Sequence, residues 1–178
     1  MHSTDRLILR EFEPQDAPYL YALNSNPDVL RYTGDAPFAS TSAAKSFIDD
    51  YDHYHRHGFG RWAVTLKSDR KFIGYSGLHR DQATGEVDLG FRFFADYWSM
   101  GYATEAGRAA LGLGFEEFGL DRIIGRSMRE NRASITVLQK VGMEFCEVRE
   151  ESGVLWLVYD IDRSRWEGLT STPRSTGR

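Results

Sequence analysis

The segment Phe91–Ala106 (FRFFADYWSMGYATEA) constrains the fold of this chain more than any other. Before it, apolar residues recur at every second position, as in Trp62, Val64 and Leu66, which is the period of a strand. After it, Leu111, Phe115 and Phe118 recur at helical spacing. A strand therefore ends at Phe94, a short loop follows, and a helix begins near Gly101. The start of a helix presents unpaired N–H groups and a partial positive charge. Gly101 and Ala103 keep this turn small and Thr104 adds a hydroxyl, so a diphosphate could approach the backbone closely. Taken alone, the spacing also fits an ordinary strand-to-helix turn.

The rest of the chain supplies the frame. Arg6–Phe12 reads as an opening strand, Pro14–Leu23 and Ser40–Tyr51 as two helices, and Trp62–Leu66 with Phe72–Leu78 as a hairpin. Glu86–Phe94 is a longer strand. The helix Tyr102–Phe118 follows, then a strand Arg122–Met128, expected parallel to the strand before it. Asn131 can cap a helix running to Lys140, with Gly142 in the position of a C-terminal glycine. Phe145–Val148 and Val154–Ile161 close the sheet. The expected class is α+β: a mixed, mostly antiparallel sheet of seven or so strands, with a splayed parallel pair and about four flanking helices. One domain spans 1–166, and the polar stretch 167–178 is expected to be a disordered tail.

Composition narrows the function. The 178 residues are 41% hydrophobic and 13% aromatic, enough for a packed core. A formal net charge of −4 argues against nucleic-acid binding and suits a cationic partner such as an amine. The single cysteine, Cys146, excludes an internal disulfide framework, so a reducing cytoplasm is expected. No apolar run approaches the roughly 20 residues of a membrane span, and the first residues lack the uncharged apolar stretch of a secretory signal.

Several motifs together resemble one family. Trp98-Ser99-Met100-Gly101-Tyr102-Ala103, followed by Thr104-Glu105-Ala106, resembles the pyrophosphate loop of the GNAT N-acetyltransferase superfamily. Trp98 stands at that loop's first position, where Gln or Arg is usual, as in the branch of ribosomal-protein N-terminal (RimJ/RimL-type) acetyltransferases. Asn131-Arg132-Ala133-Ser134 and Leu138–Met143 resemble that branch's second CoA motif, Thr4–Glu11 its opening strand and Phe72-Ile73-Gly74 its hairpin. The resemblance covers about residues 4–166.

The resemblance implies acetyl-CoA as cosubstrate and a direct attack by a primary amine in a ternary complex, without a metal. The implied acceptor is a protein N-terminal α-amine. The alternatives are a small amine (polyamine, antibiotic or amino-acid type) or a non-catalytic acyl-CoA-binding module. The strands Glu86–Phe94 and Arg122–Met128 would part to admit CoA. Backbone groups of Phe93 and Phe94 would bind the pantetheine like an added strand. The N–H groups of Met100, Gly101, Tyr102, Ala103 and Thr104 would hold the diphosphate, and Asn131 would touch the cofactor. Met100 departs from the family, which often has a basic residue there. The partners implied are the amine acceptor alone, with no nucleic acid and no membrane, for a monomer or homodimer.

The chemistry is thioester aminolysis: an amine loses a proton and a thiolate gains one. Glu86 and Asp88 lie two apart on one strand face. Asp88, at a position often Glu in the branch, is the expected proton acceptor, directly or through water, the alternative being a solvated strand carboxylate. Ser134 matches a serine placed near the CoA sulfur, or else serves its own helix. Glu105 is expected to support the first turn of its helix. Cys146 is read as a small buried residue rather than a nucleophile, and His53 and His57 as a solvated helix end rather than a metal site.

Overall fold

The computed structural model of the protein describes residues 1–171. Its strands are β1 (His2–Ser3), β2 (Leu7–Arg10), β3 (Arg61–Leu66), β4 (Phe72–Arg80), β5 (Val87–Phe93), β6 (Arg122–Met128), β7 (Glu144–Glu151) and β8 (Val154–Asp162). They form one 8-stranded sheet in the order β1-β2-β3-β4-β5-β6-β8-β7. All neighbours are antiparallel except β5 and β6. The α-helices are α1 (Ala17–Leu23), α2 (Pro27–Leu30), α3 (Thr41–Asp49), α4 (His53–His57), α5 (Tyr102–Gly112), α6 (Arg132–Lys140) and α7 (Arg163–Ser171).

Local chemistry accounts for most boundaries. Ser40 Oγ accepts from Ala43 N–H and opens α3; Asn131 Oδ1 accepts from Ser134 N–H and opens α6. Gly142 lies just beyond α6 at φ +100°, a conformation glycine adopts without strain. After α5 the chain makes one π-helical turn, Leu113–Glu117, where Gly114 packs against Ile123 and Leu78 with no room for a side chain.

Three features differ from the sequence reading. The eighth strand, β1, has only two residues, too few to show a period. The helices α2 and α4 have four and five residues, and such short runs are invisible to an amphipathic pattern. The third is α7, which continues through Ser171, so the ordered domain runs past position 166. Trp166, inside α7, is buried and stacks on Phe115. Residues 172–178, the rest of the expected tail, lie outside the described residues.

The sheet's two faces have different roles. Trp62, Val64, Leu78, Leu89 and Ile123 point to the side of α5 and join the main core with Ala106, Ala110 and Leu111. On the opposite face α1 and α3 pack through Ala17, Leu20, Ala44 and Ile48 against Tyr75. Period-two alternation puts Arg61, His79, Asp88 and Arg92 on this second face. Here the helices do not close over the strands, and polar side chains meet beneath them. No helix among the described residues is long and apolar enough to cross a membrane.

Candidate active site

The parallel strands part almost at once. β5 and β6 are paired only at Asp88 and Ile124, whereas each keeps its outer partner along its length. From Leu89 to Phe93 the inner edge of β5 therefore carries backbone groups without a strand to bind. Phe94 N–H donates to Ile73 O at 3.1 Å, on the β4 side. Alternation then turns the backbone groups of Phe91 and Phe93 toward the gap.

Phe94 itself is corrected as a pantetheine-binding residue. Its N–H goes to Ile73, and its carbonyl accepts from Tyr97 N–H at 2.9 Å. Phe91 and Phe93 are the residues whose backbone groups face the gap. Phe93 O already accepts from the Trp98 indole N–H at 2.8 Å, keeping one lone pair for a ligand. Trp98 thus ties the loop back to the strand it follows, a function its sequence position did not disclose.

The loop turns through two left-handed residues, Ser99 at φ +60° and Gly101 at φ +82°. Gly101 occupies the N-cap of α5 without a side-chain cap, and the first bond of the helix is Glu105 N–H to Gly101 O at 3.0 Å. The N–H groups of Tyr102, Ala103 and Thr104 are consequently the orphan donors of the first turn. Met100 presents its side chain to solvent, while its carbonyl accepts from Arg6 Nη1 at 3.0 Å. Arg6 lies over the Tyr102 ring, 4.4 Å from the centroid, and so puts a cation next to the residue the family often makes basic. Glu105 accepts from Thr4 Oγ1 at 2.5 Å, Arg6 N–H at 2.9 Å and Arg6 Nε at 2.7 Å. Its carboxylate fastens α5 to the chain entering β2, a tertiary tie beyond the first-turn role expected from the sequence.

Across the gap, Asn131 spends its side-chain oxygen on the Ser134 N–H at 3.1 Å, leaving its amide nitrogen as the group available to a cofactor. Ser134 is half-buried, and its hydroxyl makes no hydrogen bond among the described residues, so it does not serve its own helix backbone.

On the second face of the sheet a cavity of about 750 Å³ opens at the point where β5 and β6 separate. Asp88, His79, Arg61 and Arg126 line its strand side, and Tyr51, Asp52 and His53 its helical side. The Arg61 side chain can lie across β5 because Gly90 stands beneath it; a Cβ on Gly90 would come within 2.5 Å of the guanidinium. Tyr51 and Tyr54 hold its backbone, accepting from Arg61 N–H and donating to Arg61 O. Its guanidinium donates to the Asp88 carboxylate at 2.6 Å and to Asp88 O at 2.9 Å.

This pairing changes the reading of Asp88. Burial pushes the carboxyl up, but the Arg61 charge, with contacts from His79 and Arg61, outweighs that and holds it well below the usual carboxylate range. Asp88 therefore lines the cavity as a committed anion, which makes it a weak direct proton acceptor. His79, opposite Asp88 in the β4–β5 register, was not singled out from the sequence.

Other candidates separate from the site. Glu86 is held by Arg149 at 2.6 Å and by Arg122 at 3.6 Å, away from the cavity. Cys146 is exposed, not buried, because β7 is the sheet's edge strand. His53 is buried against the rings of Tyr51 and His79 rather than solvated. Among the described residues no three His, Cys, Asp or Glu side chains are disposed to hold a metal ion.

A splayed parallel pair, a helix N-terminus beside it and a polar cavity at its apex define a class of fold that binds an extended, phosphate-bearing carrier and presents its end to a second substrate. The model of the acetyltransferase (GNAT) domain matches residues 6–144. The "Uncharacterized N-acetyltransferase YoaA" of Bacillus subtilis is 32% identical over 143 residues, covering 79% of this chain and 81% of its own. The crystal structure of a GNAT-family acetyltransferase from Bacillus anthracis superposes with a TM-score of 0.77 at 26% identity, over 91% of this chain and 98% of that one. Spermidine N-acetyltransferase from Vibrio cholerae, solved with CoA and spermine, superposes at 0.78, at 19% identity, over 92% and 99%, and shows the fold alone. The chain belongs to the GNAT acetyltransferase family and is an acyltransferase that uses acetyl-CoA to acetylate an amine.

Proposed function

We propose that the cavity beneath α1, α3 and α4 receives a small, cationic primary amine, which attacks acetyl-CoA lying in the gap between β5 and β6. The observation that carries this reading is the cavity itself. Its volume of about 750 Å³ falls in the range of small-molecule sites, roughly 300–1,000 Å³; of its carboxylates Asp88 and Asp35 are paired with Arg61 and Arg92, and Asp50 has no ion pair among the described residues. Carboxylates around an aromatic pocket attract an ammonium group. The acceptors named for the Vibrio cholerae structure are of this class. A protein N-terminal α-amine, the acceptor suggested by the ribosomal-protein-type Trp98, is the second reading.

In this proposal the N–H groups of Tyr102, Ala103 and Thr104 hold the diphosphate and those of Met100 and Gly101 line its approach. Phe91 and Phe93 pair with the pantetheine, and the Asn131 amide steadies it. The arm then ends near Asp88, where the anion attracts the incoming ammonium. The Ser134 hydroxyl passes a proton to the departing thiolate. The test is release of CoA thiol from acetyl-CoA with a panel of spermidine, an aminoglycoside and peptides bearing free N-termini. Turnover confined to the peptides would replace the small-amine reading with the N-terminal one. Absence of thiol release with every amine would leave a binding module in place of an enzyme.

A further inference from the structure

The strand pair β4–β5 places two side chains directly opposite each other at the apex of the gap, His79 and Asp88. The His79 ring is fixed on two sides. One face stacks on His53, with centroids 4.3 Å apart and planes 24° from parallel. Its Nδ1 lies 3.6 Å from Asp88 Oδ1. That distance is long for a hydrogen bond, as catalytic pairs often are before the substrate tightens them. His53 is itself anchored, its Nε2 3.4 Å from Arg80 O, and burial followed by the nearness of His79 lowers its pKa, so it stays neutral. The Nε2 of His79 has no hydrogen-bond partner among the described residues, and the residue lines the cavity.

Asp88 is ionised and bound by Arg61, so it presents a fixed acceptor to the histidine's Nδ1. A proton on Nδ1 leaves the lone pair on Nε2, the ring nitrogen that is not the one nearest Asp88. The arrangement has the logic of a base held in one tautomer by a carboxylate that does not itself become protonated.

We propose that His79, positioned by Asp88, is the catalytic base that takes the proton from the acceptor ammonium; the inference rests on the acetyl-transfer reading above and deepens it. The ammonium gives one proton to His79 Nε2. The neutral nitrogen attacks the thioester carbonyl, forming the C–N bond as the C–S bond breaks. The second proton lost by the nitrogen reaches the CoA thiolate, through Ser134, and His79 returns its own to solvent. The charged and titratable groups around His79 are Asp88 from β5, Arg61 from β3, Arg126 from β6, Asp81 just after β4, Asp50 and Tyr51 after α3, and Asp52 and His53 at α4.

The experiment uses the full chain with spermidine and with a tripeptide carrying a free N-terminus. His79→Asn should lower kcat by 10²- to 10⁴-fold at neutral pH, the span of general-base catalysis, without changing acetyl-CoA affinity. The loss should shrink as pH rises, and at lower pH for the peptide, because α-amines lose their proton near 7.7–8.0 and alkylamines near 10.4. Imidazole added to His79→Ala should restore part of the rate, which a packing role would not allow. An unchanged pH profile in His79→Asn overturns the inference, as does a uniform loss without imidazole rescue. If the unaltered protein releases no thiol with either acceptor, the transfer reading itself has failed, and this inference with it.

Discussion

Asp88→Asn removes one charge from a buried pair and leaves the other in place. Arg61 would keep two backbone acceptors, Gly77 O and Asp88 O, and the new amide oxygen could still accept from Nη2. What it loses is its counterion, at a position where the carboxylate side chain is only 13% exposed. Removing one member of a buried pair costs about 3–5 kcal/mol, and the retained acceptors put this case at the lower end, about 3 kcal/mol. For a domain of this length each kcal/mol moves Tm by roughly 2–4 °C, so a fall of about 6–12 °C is expected in a thermal melt at neutral pH. The pH dependence has a definite sign. The folded-state pKa of Asp88 is depressed, so its contribution is fully present above the unfolded value of about 3.9 and fades as pH falls through the folded one. The gap between the two proteins should therefore hold from neutral pH down to about 4 and narrow below it. The double variant Arg61→Met/Asp88→Asn should recover part of the lost Tm, since no uncompensated cation remains. A single variant that melts within 2 °C of the unaltered protein, by about the same margin at every pH, would refute the claim that this pair is buried and ionised.

Acetyl-CoA at 100 times its Kd should stabilise the protein by about 2.7 kcal/mol, seen as a rise in Tm, while NAD and ATP should do much less. Gly101→Val should weaken acetyl-CoA binding at least tenfold, about 1.4 kcal/mol, by titration calorimetry, because a branched residue strains a backbone at φ +82° and blocks the turn. Ser134→Ala should lower kcat by 10²- to 10⁴-fold in steady-state assays with little change in acetyl-CoA affinity; unaltered turnover would remove Ser134 from the chemistry. Glu105→Ala removes three hydrogen bonds, two of them to exposed donors that water can satisfy, and should cost about 1 kcal/mol, lowering Tm in a thermal scan.

What was legible in the sequence is what depends on neighbours along the chain. The strand Arg122–Met128 and the helix Arg132–Lys140 appear at the boundaries read from their periods, and Asn131 caps as its residue type suggested. The turn at Gly101 was legible for the same reason, because a left-handed N-cap is a local event. Phe94 failed because the sequence does not say which way a backbone carbonyl faces at the end of a strand. Tyr97 lies three residues on and takes it.

The cavity floor was hidden by distance. Arg61, His79 and Asp88 come from three strands, and Arg61 and Asp88 are 27 residues apart. No local period connects them, and from the sequence Asp88 could equally have faced solvent. A trace of the arrangement was nevertheless present. Gly77 and Gly90 interrupt strands that are otherwise β-forming, and glycine within a strand marks a close approach by something else. The two glycines stand opposite each other in the register, and the side chain that approaches is Arg61, itself opposite Gly77. A Cβ on Gly90 would lift the guanidinium off the sheet and away from Asp88, whereas one on Gly77 would meet the backbone of Gly60 and Arg61. The ionised state of Asp88, and through it the orientation of His79, therefore depends on Gly90, a residue that has no side chain at all.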